Sequence, residues 1–149
     1  MARTVLLPTD GSATAKAARR FAVDIAKGEG DSVIVLSVAE PADYDGVEDE
    51  AVTAAIVGYL REVAETEAAE IRAGGIKASV EVVVDSRVDW AIVDKARTIG
   101  ADLIVMGTHG RTGLARAVIG SVADRVLRHS TVPVVFVPQM ATTAEESDQ

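Results

Sequence analysis

No cysteine occurs among the 149 residues, which excludes disulfides and thiolate metal sites and leaves the redox compartment open. No apolar run approaches the roughly 20 residues needed to cross a bilayer. The opening Met-Ala-Arg-Thr-Val-Leu-Leu-Pro has no apolar stretch long enough for a secretory signal, so a cytoplasmic location is expected. Lysine is scarce: of 15 basic residues only Lys16, Lys27, Lys77 and Lys95 are lysines. With none beyond Lys95, the later glycine-rich stretch cannot be a P-loop, which needs Gly-x-x-x-x-Gly-Lys-Ser/Thr. A dinucleotide fingerprint is missing too, because Pro8-Thr9-Asp10-Gly11-Ser12 stands where Gly-x-Gly-x-x-Gly would follow the first strand. Internal repeats and low-complexity segments are absent.

What is present describes one soluble globular domain. Hydrophobic residues make up 48% and charged residues 26% of the chain, an ordinary globular balance. A chain of this size hides roughly 68–70% of its unfolded surface on folding, enough for a substantial core. The 23 acidic residues outnumber the basic ones to give a net charge of −8, which argues against non-specific nucleic-acid binding. Acid excess with little lysine fits a salt-loving source, and fits a GC-rich genome equally well. Glu40, Asp43, Asp45, Glu48, Asp49 and Glu50 crowd one stretch, read as a solvated loop. The domain is expected over residues 1–138, with 139–149, carrying Glu145, Glu146 and Asp148, as an acidic, frayed tail.

Strand and helix patterns alternate along the chain, which predicts an α/β fold with an open parallel sheet and helices on both faces. Thr4–Leu7 is a short apolar strand stopped by Pro8. A helix follows from about Ser12 to Lys27, with Ala18, Phe21, Ala22 and Ile25 as its apolar positions and Gly28 and Gly30 as its stop. Ser32–Val38 is β-branched and continuous, as in a strand covered on both sides. Val52, Ile56, Leu60, Val63 and Ile71 mark a long helix ending at Gly74-Gly75. Ala78–Val84 is the third strand. Val88, Ile92, Ala96 and Ile99 share a face of the next helix, where Ser86 and Asp89 are placed as a capping box. Leu103–Met106, a helix from Ser121 to His129, and a last strand Val134–Val137 complete five strands and four helices. Trp90 lies off the apolar face of its helix. Pro133 and Pro138 bracket the last strand and place it at a sheet edge. An apolar edge needs cover, and the same strand of a second subunit would supply it, as would a loop or tail.

The stretch Gly107-Thr-His-Gly110-Arg-Thr-Gly113-Leu-Ala-Arg-Ala-Val-Ile-Gly120-Ser121 carries the chemistry. It leaves the carboxyl end of a strand, where open α/β sheets bind ligands. Its glycines allow close backbone approach and an anion-binding nest. Gly120-Ser121 then opens a helix whose free N–H groups and dipole favour phosphate. Two such elements in one loop suit a polyphosphate. The acidic loop would repel a bare triphosphate, so a cation is its expected companion.

Gly107-x2-Gly110-x9-Gly120-Ser121 resembles the Gly-x2-Gly-x9-Gly-Ser/Thr pattern of ATP-binding universal stress proteins. Val-Leu-Leu-Pro-Thr-Asp-Gly-Ser, Ala-Asp-Leu-Ile-Val-Met-Gly-Thr-His-Gly-Arg-Thr-Gly and Ser-Thr-Val-Pro-Val-Val-Phe-Val-Pro are similar to the family's first strand, fourth strand and last strand. The resemblance implies a flavodoxin- or Rossmann-like sheet of order 3-2-1-4-5 and ATP with magnesium as ligand. In that reading Asp10 takes the ribose hydroxyls and Val38 presents its backbone to adenine. Gly107, Gly110, Gly120 and Ser121 hold phosphates, and Thr9, Met106, His109, Arg111 and Val122 belong to the same nucleotide set. The chain departs from the pattern after the third strand, where Ser86-Arg87-Val88 replaces a Gly-x-Pro; a side chain at Ser86 is then expected to crowd the nucleotide.

Each position has a plainer reading beside it. Asp10 also suits a turn or a helix cap. Ser121 with Asp124 suits a capping box. His109 is a candidate base or a simple donor, and Arg111 and Arg116 are phosphate partners or surface charges. His129 beside Arg128 is explained by the helix dipole. Three functions follow: a nucleotide-dependent stress or regulatory protein, which the motif favours; a slow ATPase or nucleotide-transferring enzyme, for which no base or activating lysine is placed; and a nucleotide-free dimeric interaction protein, which the intact motif disfavours.

Overall fold

The computed structural model describes residues 2–108 and 119–138. In chain order it runs β1 (Thr4–Pro8), α1 (Ala13–Ile25), β2 (Ser32–Ala39), a hairpin of β3 (Asp43–Tyr44) and β4 (Val47–Glu48), α2 (Glu50–Ala73), β5 (Lys77–Val84), α3 (Val88–Thr98), β6 (Leu103–Gly107), α4 (Ser121–His129) and β7 (Val134–Val137). The main sheet has the order β5-β2-β1-β6-β7, with every neighbouring pair parallel. Leaving out the hairpin, this is the expected 3-2-1-4-5. The chain steps outward from β1 to β2 and β5, then returns to β6 on the other side of β1. That reversal opens a crevice at the carboxyl ends of β1 and β6.

Successive strand residues point to opposite faces, and both faces are covered. Val5, Leu7, Val33, Val35 and Val105 pack with Ala18 and Ala22 of α1 and Ala64, Ala68 and Ile71 of α2. Leu6, Leu36, Ile104 and Met106 pack with Ile92 and Ala96 of α3 and Ala123 and Val126 of α4. Alanines on the helix faces seat those helices close to the sheet. That closeness explains why Phe21, expected on the apolar face of α1, is 37% exposed: the buried stripe is Thr14, Ala15, Ala18 and Ala22, and a phenyl ring is forced to its flank.

Two expectations about local structure are corrected. Ser86 and Asp89 form no capping box. The helix begins one residue later, with Arg87 as the cap of α3 and no side-chain cap bond, and Asp85 Oδ1 accepts from the Arg87 N–H at 2.9 Å in a local turn just before it. The acidic stretch is not a plain loop either. Asp45 (φ 52) and Gly46 (φ 77) make the two-residue turn that matches strand twist. Asp43 then pairs with Glu48 and Tyr44 with Val47, all four exposed. The last strand is an edge as expected, β7 being paired with β6 alone.

Candidate functional site

A cavity of about 620 Å³ opens at the carboxyl ends of β1, β2 and β6, within the size range of small-molecule sites. Its polar side is built by the turn after β1. Pro8 ends the strand, yet Thr9 N–H still reaches Leu36 O at 2.9 Å and Ser37 Oγ donates to Thr9 O at 3.0 Å. The chain is thereby pinned to β2 just before it turns. Asp10 Oδ1 then accepts from Ser12 N at 2.9 Å, Gly11 takes a left-handed φ of 81°, and Ser12 Oγ caps α1 through Ala15 N at 3.3 Å. Asp10 is thus the turn residue, Ser12 rather than Asp10 is the cap, and both line the cavity.

The opposite wall comes from β6 and α4. Gly120 N–H donates to Thr108 O at 2.6 Å, so the chain departs from β6 and enters α4 at one spot. Gly120 is the cap of α4, which makes Ser121 the first helical residue. The expected Ser121–Asp124 capping box does not form: the helix has no side-chain cap bond, and Asp124 Oδ2 instead accepts from Arg128 Nε at 3.1 Å. The first N–H groups of a helix have no partner within it, and Gly120, Ser121, Val122 and Ala123 all line the cavity. The helix dipole adds positive potential at the same place.

Gly107 also lines the cavity, but its missing side chain has a structural cause. A β-carbon there would stand 2.7 Å from Thr14 Cβ and 2.9 Å from the Thr14 backbone carbon. The glycine lets α1 sit against the end of β6, whatever ligand lies beyond it.

Of the expected site residues, Thr9, Asp10, Val38, Met106, Gly107, Gly120, Ser121 and Val122 line this one cavity. His109, Gly110 and Arg111 lie outside the described residues, as do Gly113 and Arg116. The sequence reading missed the hydroxyls of Ser12, Thr14 and Thr108 and an apolar lining of Leu36, Ile56, Leu60, Val88 and Ile92, with Tyr59 and Glu40 beside them. A capping serine at 12 was the available signal for the first group. For the α2 residues there was none beyond helical spacing.

A second hollow of about 390 Å³ adjoins the first, sharing Glu40, Val88, Ser121 and Val122 and adding Ser86, Arg87, Asp89 and Arg125. Ser86 lines this second hollow and not the main cavity; of the departing triplet only Val88 reaches the main lining. Arg87 is engaged locally, 3.6 Å from the buried Asp89 and 5.9 Å from the Trp90 ring centroid. Among the described residues no group of three or more His, Asp or Glu side chains is placed to hold a metal ion. No helix among them is long and apolar enough to cross a membrane.

Residues 1–138 match the Universal stress protein family. Universal stress protein MJ0531 of Methanocaldococcus jannaschii is 32% identical over 139 residues, covering 91% of this chain and 81% of its own length. The solved structure of MJ0577, from the same organism, superposes with a TM-score of 0.78 at 30% identity, over 93% of this chain and 96% of that one. A universal stress protein solved in complex with cAMP aligns with a TM-score of 0.61 at 28% identity, over 93% and 98% of the two chains.

Proposed function

The chain belongs to the universal stress protein family, and from that premise we propose that it is a nucleotide-binding stress-response or regulatory protein whose ligand is ATP. The observation that carries this reading is the composition of one cavity. The amino end of α4, the Asp10 turn and an apolar wall from β2, α2 and α3 face the same space. Phosphate suits helix N–H groups, a carboxylate suits ribose hydroxyls, and an apolar slot suits a flat base. In this assignment Ser121 and Val122 take phosphate with Gly107 and Gly120 beside them, Asp10 takes the ribose, and Val38 takes the base. His109, Gly110 and Arg111 complete the phosphate side by their place in the motif. Thr9 and Met106 shape the floor.

Magnesium enters this reading with the phosphates. The described residues offer no cage of their own for it, and magnesium ordinarily keeps several waters and binds through phosphate oxygens. Hydrolysis is proposed to be slow, far below the ~10 s⁻¹ of typical enzymes, since positioning groups are present and no activating side chain lines the cavity among the described residues. Residues 1–138 form the binding unit, and 139–149 an acidic tail outside it. The half-buried apolar edge Val134–Val137 is proposed to pair with its copy in a cytoplasmic homodimer. A monomer mass by light scattering at micromolar concentration, in low and high salt alike, would contradict that.

The deciding experiment is mass spectrometry of the ligand released from freshly purified, denatured protein, followed by calorimetry with magnesium-ATP on the stripped protein. ATP in the first and heat in the second are expected. A second reading, a cyclic nucleotide, is favoured by the relative solved with cAMP; release of cAMP with no heat from ATP would select it.

A further inference from the structure

Charge is shared unevenly between the two hollows. Among the described residues the main cavity is lined by two carboxylate residues, Asp10 and Glu40, and by no lysine, arginine or histidine. The adjoining hollow of about 390 Å³ is lined by two arginines, Arg87 and Arg125. Arg87 is committed: its Nη2 stands 3.6 Å from Asp89 Oδ2, on a side chain only 5% exposed, and its guanidinium lies over the Trp90 ring. Arg125 is exposed and has no ion pair or hydrogen bond among the described residues. It is the one uncommitted cation that either hollow presents there. Arg125 follows Ser121 by four residues in α4, so the two lie one turn apart on the same helix face, and both line this hollow. The amino end of α3 reaches it as well, through Arg87, Val88 and Asp89. Neither α3 nor α4 has a side-chain cap bond, whereas Ser12 and Asp49 cap α1 and α2.

Building on the nucleotide assignment above, we infer that the second hollow receives the outer phosphates of ATP, and that Arg125 is the residue by which the site distinguishes a triphosphate from a monophosphate. Ser121 and Val122 line both hollows, so a nucleotide whose first phosphate meets them has its remaining phosphates at the boundary. On the main-cavity side the described charges are carboxylates, and magnesium offsets only part of the charge on a triphosphate. Arg125 supplies the missing positive charge, and a guanidinium presents a planar fork of donors that suits phosphate oxygens. Glu40 lines the same hollow and opposes part of that attraction, while Asp89 is already matched by Arg87. AMP has no outer phosphate to place there and gains nothing from Arg125.

Calorimetry with magnesium-ATP and with AMP tests this on the stripped full-length protein and two variants. The wild type should bind magnesium-ATP more tightly than AMP. Arg125→Gln should weaken magnesium-ATP by about tenfold, the loss of a charge-assisted contact, and leave AMP as it was. Arg128→Gln removes the same charge from the same helix, but Arg128 lines neither hollow and binds Asp124; it should leave both affinities alone. The melting temperature of Arg125→Gln should match the wild type, since the residue is exposed. Unchanged magnesium-ATP affinity in Arg125→Gln would overturn the inference and leave the nucleotide assignment standing. An equal loss for AMP would also overturn it, because the arginine would then act on the phosphate the two ligands share. So would an equal loss in Arg128→Gln, which would mark a general effect of charge. A wild type that gives no heat with either nucleotide would overturn the nucleotide assignment and this inference together.

Discussion

The two ends of the sheet are built from similar residues put to opposite uses. At the amino end, carboxylates are consumed by the chain's own backbone. Asp31 accepts from Arg3 N at 2.8 Å and Gly28 N at 2.9 Å and meets Arg3 Nη2 at 3.1 Å, while Asp102 Oδ2 accepts from Thr4 N at 2.8 Å. These bonds tie the starts of β1, β2 and β6 together. At the carboxyl end, a helix amino terminus with no side-chain cap and a row of hydroxyls surround a cavity. The contrast separates a closing end from a receiving end, and it is the receiving end that holds the residues named from sequence. The first N–H groups of a helix need partners from outside it, which is the ground for placing the proposed ligand in the cavity and not beside the ion pairs below it.

The sharpest break in this comparison is Gly107, which stands at the receiving end yet serves packing. Gly107→Val should destabilise the fold by about 1–3 kcal/mol, the usual cost of overpacking, because its side chain would meet the Thr14 backbone and not an open space. Urea unfolding measures this. Unchanged stability with lost ATP binding would return Gly107 to a purely ligand-facing role. Gly120→Val should do the reverse, weakening magnesium-ATP at least tenfold by calorimetry, or about 1.4 kcal/mol, with the circular dichroism spectrum preserved.

Next comes the pair of carboxylates. Asp10→Ala should weaken ATP by about tenfold, through loss of a hydrogen bond to a charged acceptor, and should also lower the melting temperature, because the Ser12 N–H loses the partner that holds the turn. Asp31→Asn should lower stability and leave affinity alone. The same contrast has a pH form. The Arg3 N–H, with help from the Gly28 N–H and the Arg3 guanidinium, holds the Asp31 carboxyl below its usual 3.8 in spite of its burial. A carboxyl lowered in the folded state contributes stability above its unfolded pKa, and that contribution is lost as pH falls through the folded value. The stability of the wild type should therefore fall in acid more steeply than that of Asp31→Asn, in the window below about pH 4. Parallel acid limbs in denaturant titrations would show that Asp31 is not part of the closing end.

Much of this was legible before any coordinates. Continuous β-branched runs such as Ser32–Val38 announce strands buried on both faces, and glycine pairs such as Gly74-Gly75 announce helix stops, because both signals are local. The strand order followed from the family resemblance, and the position of the cavity from the rule that ligands sit at carboxyl ends. What escaped was decided by competition or by distance. Ser86 and Asp89 have the spacing of a capping box, but the helix starts one residue later with Arg87 as its cap, after a turn in which Asp85 holds the Arg87 amide. Asp45-Gly46 is a hairpin signal, yet flanking strands of two residues each show no alternation to confirm it. The contacts of Thr14 with Gly107 and of α2 with the cavity join residues far apart in sequence, and neither spacing nor composition records them.

The smallest expected effect concerns charge, and it also divides the two ends. Glu40, Asp43, Asp45, Glu48, Asp49 and Glu50 all follow β2 on the receiving side, and Glu40 lines both hollows. Acids at the closing end, by contrast, are already matched by Arg3 and by backbone amides. Self-repulsion from the net charge of −8 is therefore expected to concentrate at the receiving end, and salt screens exposed charges beyond about 10 Å at 0.1 M. Raising salt from dilute buffer to molar should lift the melting temperature by about 2–4 °C, what 1 kcal/mol is worth in a chain of this length. Replacing Asp43, Asp45 and Glu48 together by Asn, Asn and Gln should remove most of that rise, since the hairpin is fully in water and loses only charge. The same triple change made without effect on the salt response would place the repulsion elsewhere in the chain. A melting temperature indifferent to salt in the wild type would remove the salt-loving interpretation of the acid excess and leave the composition of the genome as its explanation.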